Sequence, residues 1–289
     1  MRYVKPSDLR LKKRNPRSHK GDNGRVLVIG GSEEYVGACA LAGLAAMRAG
    51  CDWVTVAAPS KVAWAINCLT PDLITVKLPG KQFAPKHIGP LKRLIRKHDV
   101  VLIGNGIGTA PSTRKLVHMV IRECNKIPKM MVIDADALKA IRIDEPKIAI
   151  MTPHAGEMKA LLDNSKAGKT PASEKEWKKL QKRLGSRVIV LKGPIDVIAN
   201  GYWILANRTH HPIMTVAGTG DVLAGLCAGF LAQGYPIFTS AVNATYLNGL
   251  TGLGLARRKK PTGLLASDLV RDIQAVLNSL KTKRRIILK

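Results

Sequence analysis

Three segments, Arg25 to Gly30 (RVLVIG), Gly37 to Ala49 (GACALAGLAAMRA) and Trp53 to Ala57 (WVTVA), follow one another with only short breaks. The first is a continuous apolar run ending in glycine, the pattern of a strand covered on both faces. The second is rich in small residues, as a helix lying close against a sheet requires, and Gly50 supplies its C-terminal stop. The third is again apolar. This strand–helix–strand order predicts a right-handed crossover between parallel strands and commits the chain to an α/β architecture.

The same alternation continues downstream. Helices are expected at Ser60–Cys68 and at Lys86–Lys97, where Ile88, Leu91, Leu94 and Ile95 recur at helical spacing, and again at Ser112–Cys124. Ser173 and Glu176 form a capping box for a helix reaching Leu184. Strands are expected at Leu73–Leu78, Asp99–Ile103, Met130–Ile133, Ile148–Met151 and Val188–Leu191. Asn200-Gly201, set between Val197–Ala199 and Tyr202–Ala206, signals a hairpin and so an antiparallel edge to the sheet. Helical patterns fill Ile237–Ala256 and Ser267–Leu280, and the tail Lys281–Lys289 reads as a peripheral strand or a loose end. No internal repeat or long linker divides the chain.

A length of 289 residues with 46% hydrophobic content permits one large core. No apolar run is long enough to span a bilayer and the first twenty residues carry no hydrophobic signal region, so a cytoplasmic, soluble protein is expected. The five cysteines are odd in number, include no C-x-x-C pair and read as small core residues. The net charge of +27 calls for a partner or an environment. Eight Lys or Arg fall in residues 1–20 against one acid, Asp8. The charge is spread along the chain and aromatics are only 4%, so stacking platforms for nucleic acid are scarce; nucleic acid is disfavoured as a partner without being ruled out.

Open α/β sheets bind ligands at the carboxyl ends of their strands. Four motifs sit there: GNGIG (Gly104–Gly108), DADAL (Asp134–Leu138), TPHAGEM (Thr152–Met158) and KGPID (Lys192–Asp196). The first three also have a purely structural reading. GNGIG suits a plain turn. The acids of DADAL could hold a metal-bound phosphate or cap a turn. Thr152 with Pro153 suits a helix start, although His154 and Glu157 would then project beside the strand end. The adjacent His210 and His211 point opposite ways on a strand and do not read as a metal site.

The segment Ala217–Gly234 (AGTGDVLAGLCAGFLAQG) combines these themes. Gly218 and Gly220 flank Thr219 at the mouth of an apolar helix, where unpaired N–H groups can hold an anion. Asp221 would repel that anion unless it takes a proton from the group attacking the phosphate. Equally, Thr219 could cap the helix while Asp221 favours its dipole.

Six segments in order, His19–Gly50, Ile103–Thr109, Val132–Leu138, Met151–Leu162, Val190–Ile198 and Thr215–Gly234, resemble the ADP/ATP-dependent NAD(P)H-hydrate dehydratases of the ribokinase-like superfamily. The resemblance spans nearly the whole chain. It implies a three-layer αβα sandwich with a mostly parallel central sheet and an antiparallel edge hairpin, formed by residues 1–289 as one domain with a basic lead-in at 1–20. It implies dehydration of NADH hydrate or NADPH hydrate in the S form, by phosphoryl transfer from ADP or ATP to the ring hydroxyl and loss of phosphate. Asp221 is then the catalytic base. Lys192, Gly193, Pro194, Ile195, Asp196, Gly218, Thr219 and Gly220 bind nucleotide, and Ala38, Gly106, His154 and Asp221 contact the hydrate. Mg²⁺ is expected with the nucleotide phosphates, with no separate metal ligands assigned in the protein. A homo-oligomer is expected, and a separate epimerase would cooperate, the length leaving no room for a fused epimerase domain.

Two departures stand out. Asn105 replaces the proline of the family's GPGLG loop, which would loosen the backbone. The lead-in HHPIMTVAGTGD lacks glycines and an asparagine of the family's GNPGMTVGGTGD, which could alter affinity or nucleotide choice. The alternatives are a vitamin-precursor kinase of the same superfamily, which would use the same base and anion hole, and a non-catalytic RNA-associated protein suggested by the charge.

Overall fold

The computed structural model describes residues 1–258 and 262–287. Among these residues ten strands form one sheet: β1 (Arg2–Tyr3), β2 (Arg25–Ile29), β3 (Trp53–Pro59), β4 (Ile74–Leu78), β5 (Val100–Ile103), β6 (Met130–Ile133), β7 (Ala149–Met151), β8 (Val188–Leu191), β9 (Asp196–Ala199) and β10 (Ile204–Asn207). Their spatial order is β1-β10-β9-β8-β7-β6-β5-β2-β3-β4. From β4 to β8 all neighbours are parallel, and β9 then runs antiparallel to both β8 and β10. The helices are α1 (Val36–Ala49), α2 (Ser60–Leu69), α3 (Ile88–Lys97), α4 (Pro111–Lys126), α5 (Ala155–Asn164), α6 (Glu174–Leu184), α7 (Thr219–Ala232), α8 (Ile237–Arg258) and α9 (Ala266–Ile287).

Alternation along the strands separates two cores. Val26, Val28, Val100 and Leu102 face one side with residues of α1, α2, α7, α8 and α9. Leu27, Ile29, Val101 and Ile103 face the other, with residues of α3, α4, α5 and α6. Apolar burial on both faces explains why β2 and β5 read as unbroken hydrophobic runs. The expected three-layer sandwich with an antiparallel edge is what forms.

Helix α7 crosses the centre of the sheet, and most of it is buried. Its seat against α1 is unusually close. A Cβ on Gly225 would stand 2.1 Å from the Ala42 carbonyl oxygen, and one on Gly229 would stand 2.4 Å from that of Ala46. Small residues in both helices therefore set how near the backbones come, which fixes the height of the α7 N-terminus above the strand ends.

Three expectations need correction. The β9–β10 connection is a four-residue loop rather than a two-residue Asn-Gly turn: Asn200 Oδ1 accepts from the N–H groups of Tyr202 and Trp203, an Asx turn that leaves both aromatics exposed. The tail continues α9 as helix to Ile287, with residues 288 and 289 outside the description. Cys68 is exposed, while Cys39, Cys51, Cys124 and Cys227 are buried as expected. No helix among the described residues is long and apolar enough to cross a membrane.

Candidate active site

The C-terminal ends of β5, β6 and β7 and the first turn of α7 converge on one polar cluster inside an otherwise apolar interior. Asn105 follows β5 and is fully buried. Its Nδ2 donates to Asp221 Oδ1 at 2.7 Å and to Asp134 Oδ2 at 3.0 Å. Asp134 follows β6, and its Oδ1 accepts from Thr152 Oγ1 at 2.7 Å and from Lys192 Nζ at 3.0 Å. Lys192, just after β8, also lies 3.6 Å from Glu157 Oε2. A Cβ on Gly220 would stand 3.2 Å from Lys192 Nζ, which places this ammonium directly beneath the α7 N-terminus.

The charges of this cluster are interdependent. Burial, with the charge of Asp134 next, pushes the Asp221 carboxyl up to about 7, against the opposing hydrogen bond from Asn105 and the charge of Lys192. Burial works against the Lys192 ammonium, but Asp134 and Glu157 more than offset it and hold its proton more tightly than usual. Asp221 Oδ2 accepts no hydrogen bond among the described residues.

Gly218 occupies the N-cap of α7, and no side chain among the described residues caps the helix. Thr219 is the first helical residue; its hydroxyl points back to the carbonyl oxygens of Met214 and Val216, at 3.0 and 3.1 Å, so it is not the cap. The N–H groups of Thr219, Gly220 and Asp221 have no acceptor among the described residues. They are the free donors that an anion at a helix start requires.

Two cavities meet at this turn. The larger, about 750 Å³, is lined by Ala38, Gly106 and Asp221 together with Tyr35, Asp136 and Lys139. Gly106 is obligatory there, because its φ is +64° and a Cβ would stand 2.7 Å from that of Tyr35. The smaller, about 250 Å³, is lined by Lys192, Gly193, Pro194, Asp196, Thr219 and Gly220, with His210, Met214 and Asn248. The residues assigned to hydrate and to nucleotide thus fall largely into separate cavities, with Asp221 and Gly220 at their boundary.

Other assigned residues sit elsewhere. Ile195 is exposed and lines neither cavity. Gly218 also lines neither. His154, not Thr152, is the N-cap of α5: its Nδ1 accepts from the N–H groups of Gly156 and Glu157, and it too lines neither cavity. Glu157 turns inward, where its Oε2 accepts from His154 N at 2.9 Å. Asp196 is buried, which raises its pKa, and its oxygens accept from Gly193 N and Asn207 Nδ2, so it shapes the Lys192–Asp196 turn. His211 Nδ1 accepts from Ile213 N in a short 3₁₀ turn rather than on a strand. Among the described residues, no group of three or more His, Cys, Asp or Glu side chains is placed to hold a metal ion.

Three contributors were misjudged from the sequence. Asn105, expected only to loosen the backbone, is a buried bridge; Asp134 is an anchor for Lys192, and Thr152 a donor to Asp134. All three lie just past strand ends, the one signal available in the sequence.

The model of the NAD(P)H-hydrate dehydratase family matches residues 26–275. The chain is 40% identical over 286 residues to a bifunctional NAD(P)H-hydrate repair enzyme of Methanothermobacter thermautotrophicus, covering 96% of this chain and 54% of that protein. It thus spans about half the length of the first curated relatives it matches. It is 36% identical over 245 residues to an ADP-dependent (S)-NAD(P)H-hydrate dehydratase of Cenarchaeum symbiosum, covering 81% of this chain and 82% of the relative. A ribokinase-like superfamily protein of Enterococcus faecalis superposes with a TM-score of 0.84 at 26% identity, over 96% of each chain. With a family model matching residues 26–275 and a relative 36% identical over 245 residues, the chain belongs to the NAD(P)H-hydrate dehydratase family.

Proposed function

We propose that this chain dehydrates the S form of NADH hydrate or NADPH hydrate, using ADP or ATP as phosphoryl donor. The observation that carries the reading is the placement of Asp221 and the free N–H groups of Thr219 and Gly220 at the boundary of two cavities. Nucleotide occupies the cavity bordered by Lys192 and Gly220, and the hydrate the one bordered by Ala38 and Gly106. Phosphate passes between them across the first turn of α7.

In the first step the ring hydroxyl gives its proton to Asp221 Oδ2 as its oxygen forms a bond to phosphorus, and the phosphoanhydride bond of the nucleotide breaks. The N–H groups of the helix start, with Lys192 behind them, stabilise charge on the transferring group. In the second step the carbon–oxygen bond breaks with its electrons on phosphate, and loss of a proton from the adjacent ring carbon restores the dihydronicotinamide. The carboxylates near this turn are already engaged with Lys192 and Asn105 and make no cage for a resident ion. Mg²⁺ therefore fits as part of the nucleotide substrate, where it neutralises phosphate charge.

Restoration of dihydronicotinamide absorbance from S-NADH hydrate, with ADP or ATP in the presence of Mg²⁺, is the test. No recovery with either nucleotide, where a control dehydratase succeeds, defeats the reading.

A further inference from the structure

We propose that Asn105 is a positioning residue that selects Oδ2 of Asp221 as the proton-accepting oxygen and holds this carboxylate beside Asp134. The proposal rests on the reading of Asp221 as the base. An amide nitrogen carries two protons, and Asn105 gives both of them to carboxylates, at 2.7 Å to Asp221 and 3.0 Å to Asp134. Its Oδ1 is buried with no hydrogen-bond partner among the described residues. The amide orientation is therefore set by the two carboxylates alone, since a flip would aim the carbonyl oxygen at both. Its backbone is fixed independently: the Asn105 carbonyl accepts from Gly31 N at 2.8 Å.

The consequence concerns both geometry and charge. With Oδ1 of Asp221 occupied, Oδ2 is the oxygen left to meet the substrate. Burial first, then Asp134 just after β6 and Glu157 of α5, raise the proton affinity of Asp221, while the Asn105 amide just after β5 and Lys192 just after β8 lower it. The Cys39 thiol of α1 is also within the field of Asp221, and burial keeps it protonated. A proline in this loop, as in the GPGLG pattern, has no side-chain donor to offer. Here the amide keeps two carboxylates compatible with each other and opposes the upward push on the Asp221 carboxyl.

The test is a carboxyl NMR titration of Asp221, assigned by its loss in Asp221→Asn, in the wild-type protein and in Asn105→Leu. The variant's midpoint is expected to rise by about one pH unit, about tenfold in proton affinity, because a hydrogen bond to the charged form has been removed. The acid limb of kcat/KM should move by the same amount, with KM for nucleotide unchanged; a merely structural role would lower turnover equally at every pH. If Asn105→Leu fails to fold, Asn105→Ser is read in the same way, since one hydroxyl proton cannot serve two carboxylates. A folded variant with an unmoved Asp221 midpoint overturns the proposal, as does a moved midpoint with an unmoved acid limb. Absence of turnover in the wild type defeats the dehydratase reading instead, and the NMR titration then still decides whether Asn105 holds Asp221.

Discussion

Lys192 Nζ and Asp134 Oδ1 meet at 3.0 Å beneath the first turn of α7, and both side chains are largely withdrawn from solvent. A buried pair of this kind is defined by what happens when one member is lost.

Lys192→Met leaves Asp134 and Glu157 without their shared cation. We expect a loss of about 3 kcal/mol in folding stability at neutral pH, from the uncompensated carboxylates. The loss should shrink when Lys192→Met is made in an Asp134→Asn background, where the nearer carboxylate is gone. Urea unfolding of the single and double variants checks this; an equal loss in both backgrounds would remove the electrostatic explanation.

The base must be ionised to act, and Asp221 titrates at about 7. Turnover should therefore rise as pH increases through about 7 and level off above it. A kcat/KM profile flat from pH 5 to pH 8 would rule out Asp221 as the titrating base.

A raised carboxyl pKa also has a sign for stability. Asp221 favours folding below its unfolded pKa near 4, and that contribution is lost as pH rises through the folded value of about 7. Asp221→Asn should thus be more stable than wild type at pH 8, on the order of 1–3 kcal/mol, and no more stable at pH 4. The same variant should lose on the order of 10² to 10⁴ in kcat. Thermal melts and turnover assays on one preparation test both halves.

His154 caps α5 through Nδ1. His154→Ala should cost about 1 kcal/mol in stability, the usual value of an N-cap. If the residue also contacts the hydrate, KM for hydrate rises while kcat hardly changes. Stability loss with an unaltered KM would leave it a cap alone.

Gly225→Ala forces a methyl group toward the Ala42 carbonyl oxygen, 2.1 Å from the ideal Cβ position. A destabilisation of about 1–3 kcal/mol is expected from the overpacked contact. A melting temperature equal to wild type would mean that α1 and α7 can separate freely.

Strands buried on both faces were legible because β2, β5 and β6 carry unbroken apolar runs, and α1 because its small residues meet a sheet. The place of Asp221 in the first turn of α7 was legible because glycines precede an apolar run there. Asn105 was not, since nothing local distinguishes an amide that bridges two carboxylates 29 and 116 residues away from one that merely turns the chain. The start of α5 was misplaced for a related reason: Thr152 has good cap chemistry, but its hydroxyl is drawn into the interior by Asp134, and His154 takes over. The turn after β9 departed from the Asn-Gly pattern because Asn200 bonds to the backbone beyond Gly201, lengthening the loop.

The hydroxyl of Thr219 reaches back across the altered lead-in to the carbonyl oxygens of Met214 and Val216. Every residue type presents a carbonyl, so this fastening does not depend on which side chains lie at 214 to 217. Substitutions within that loop therefore leave both acceptors in place, whereas loss of the hydroxyl at 219 removes both bonds at once.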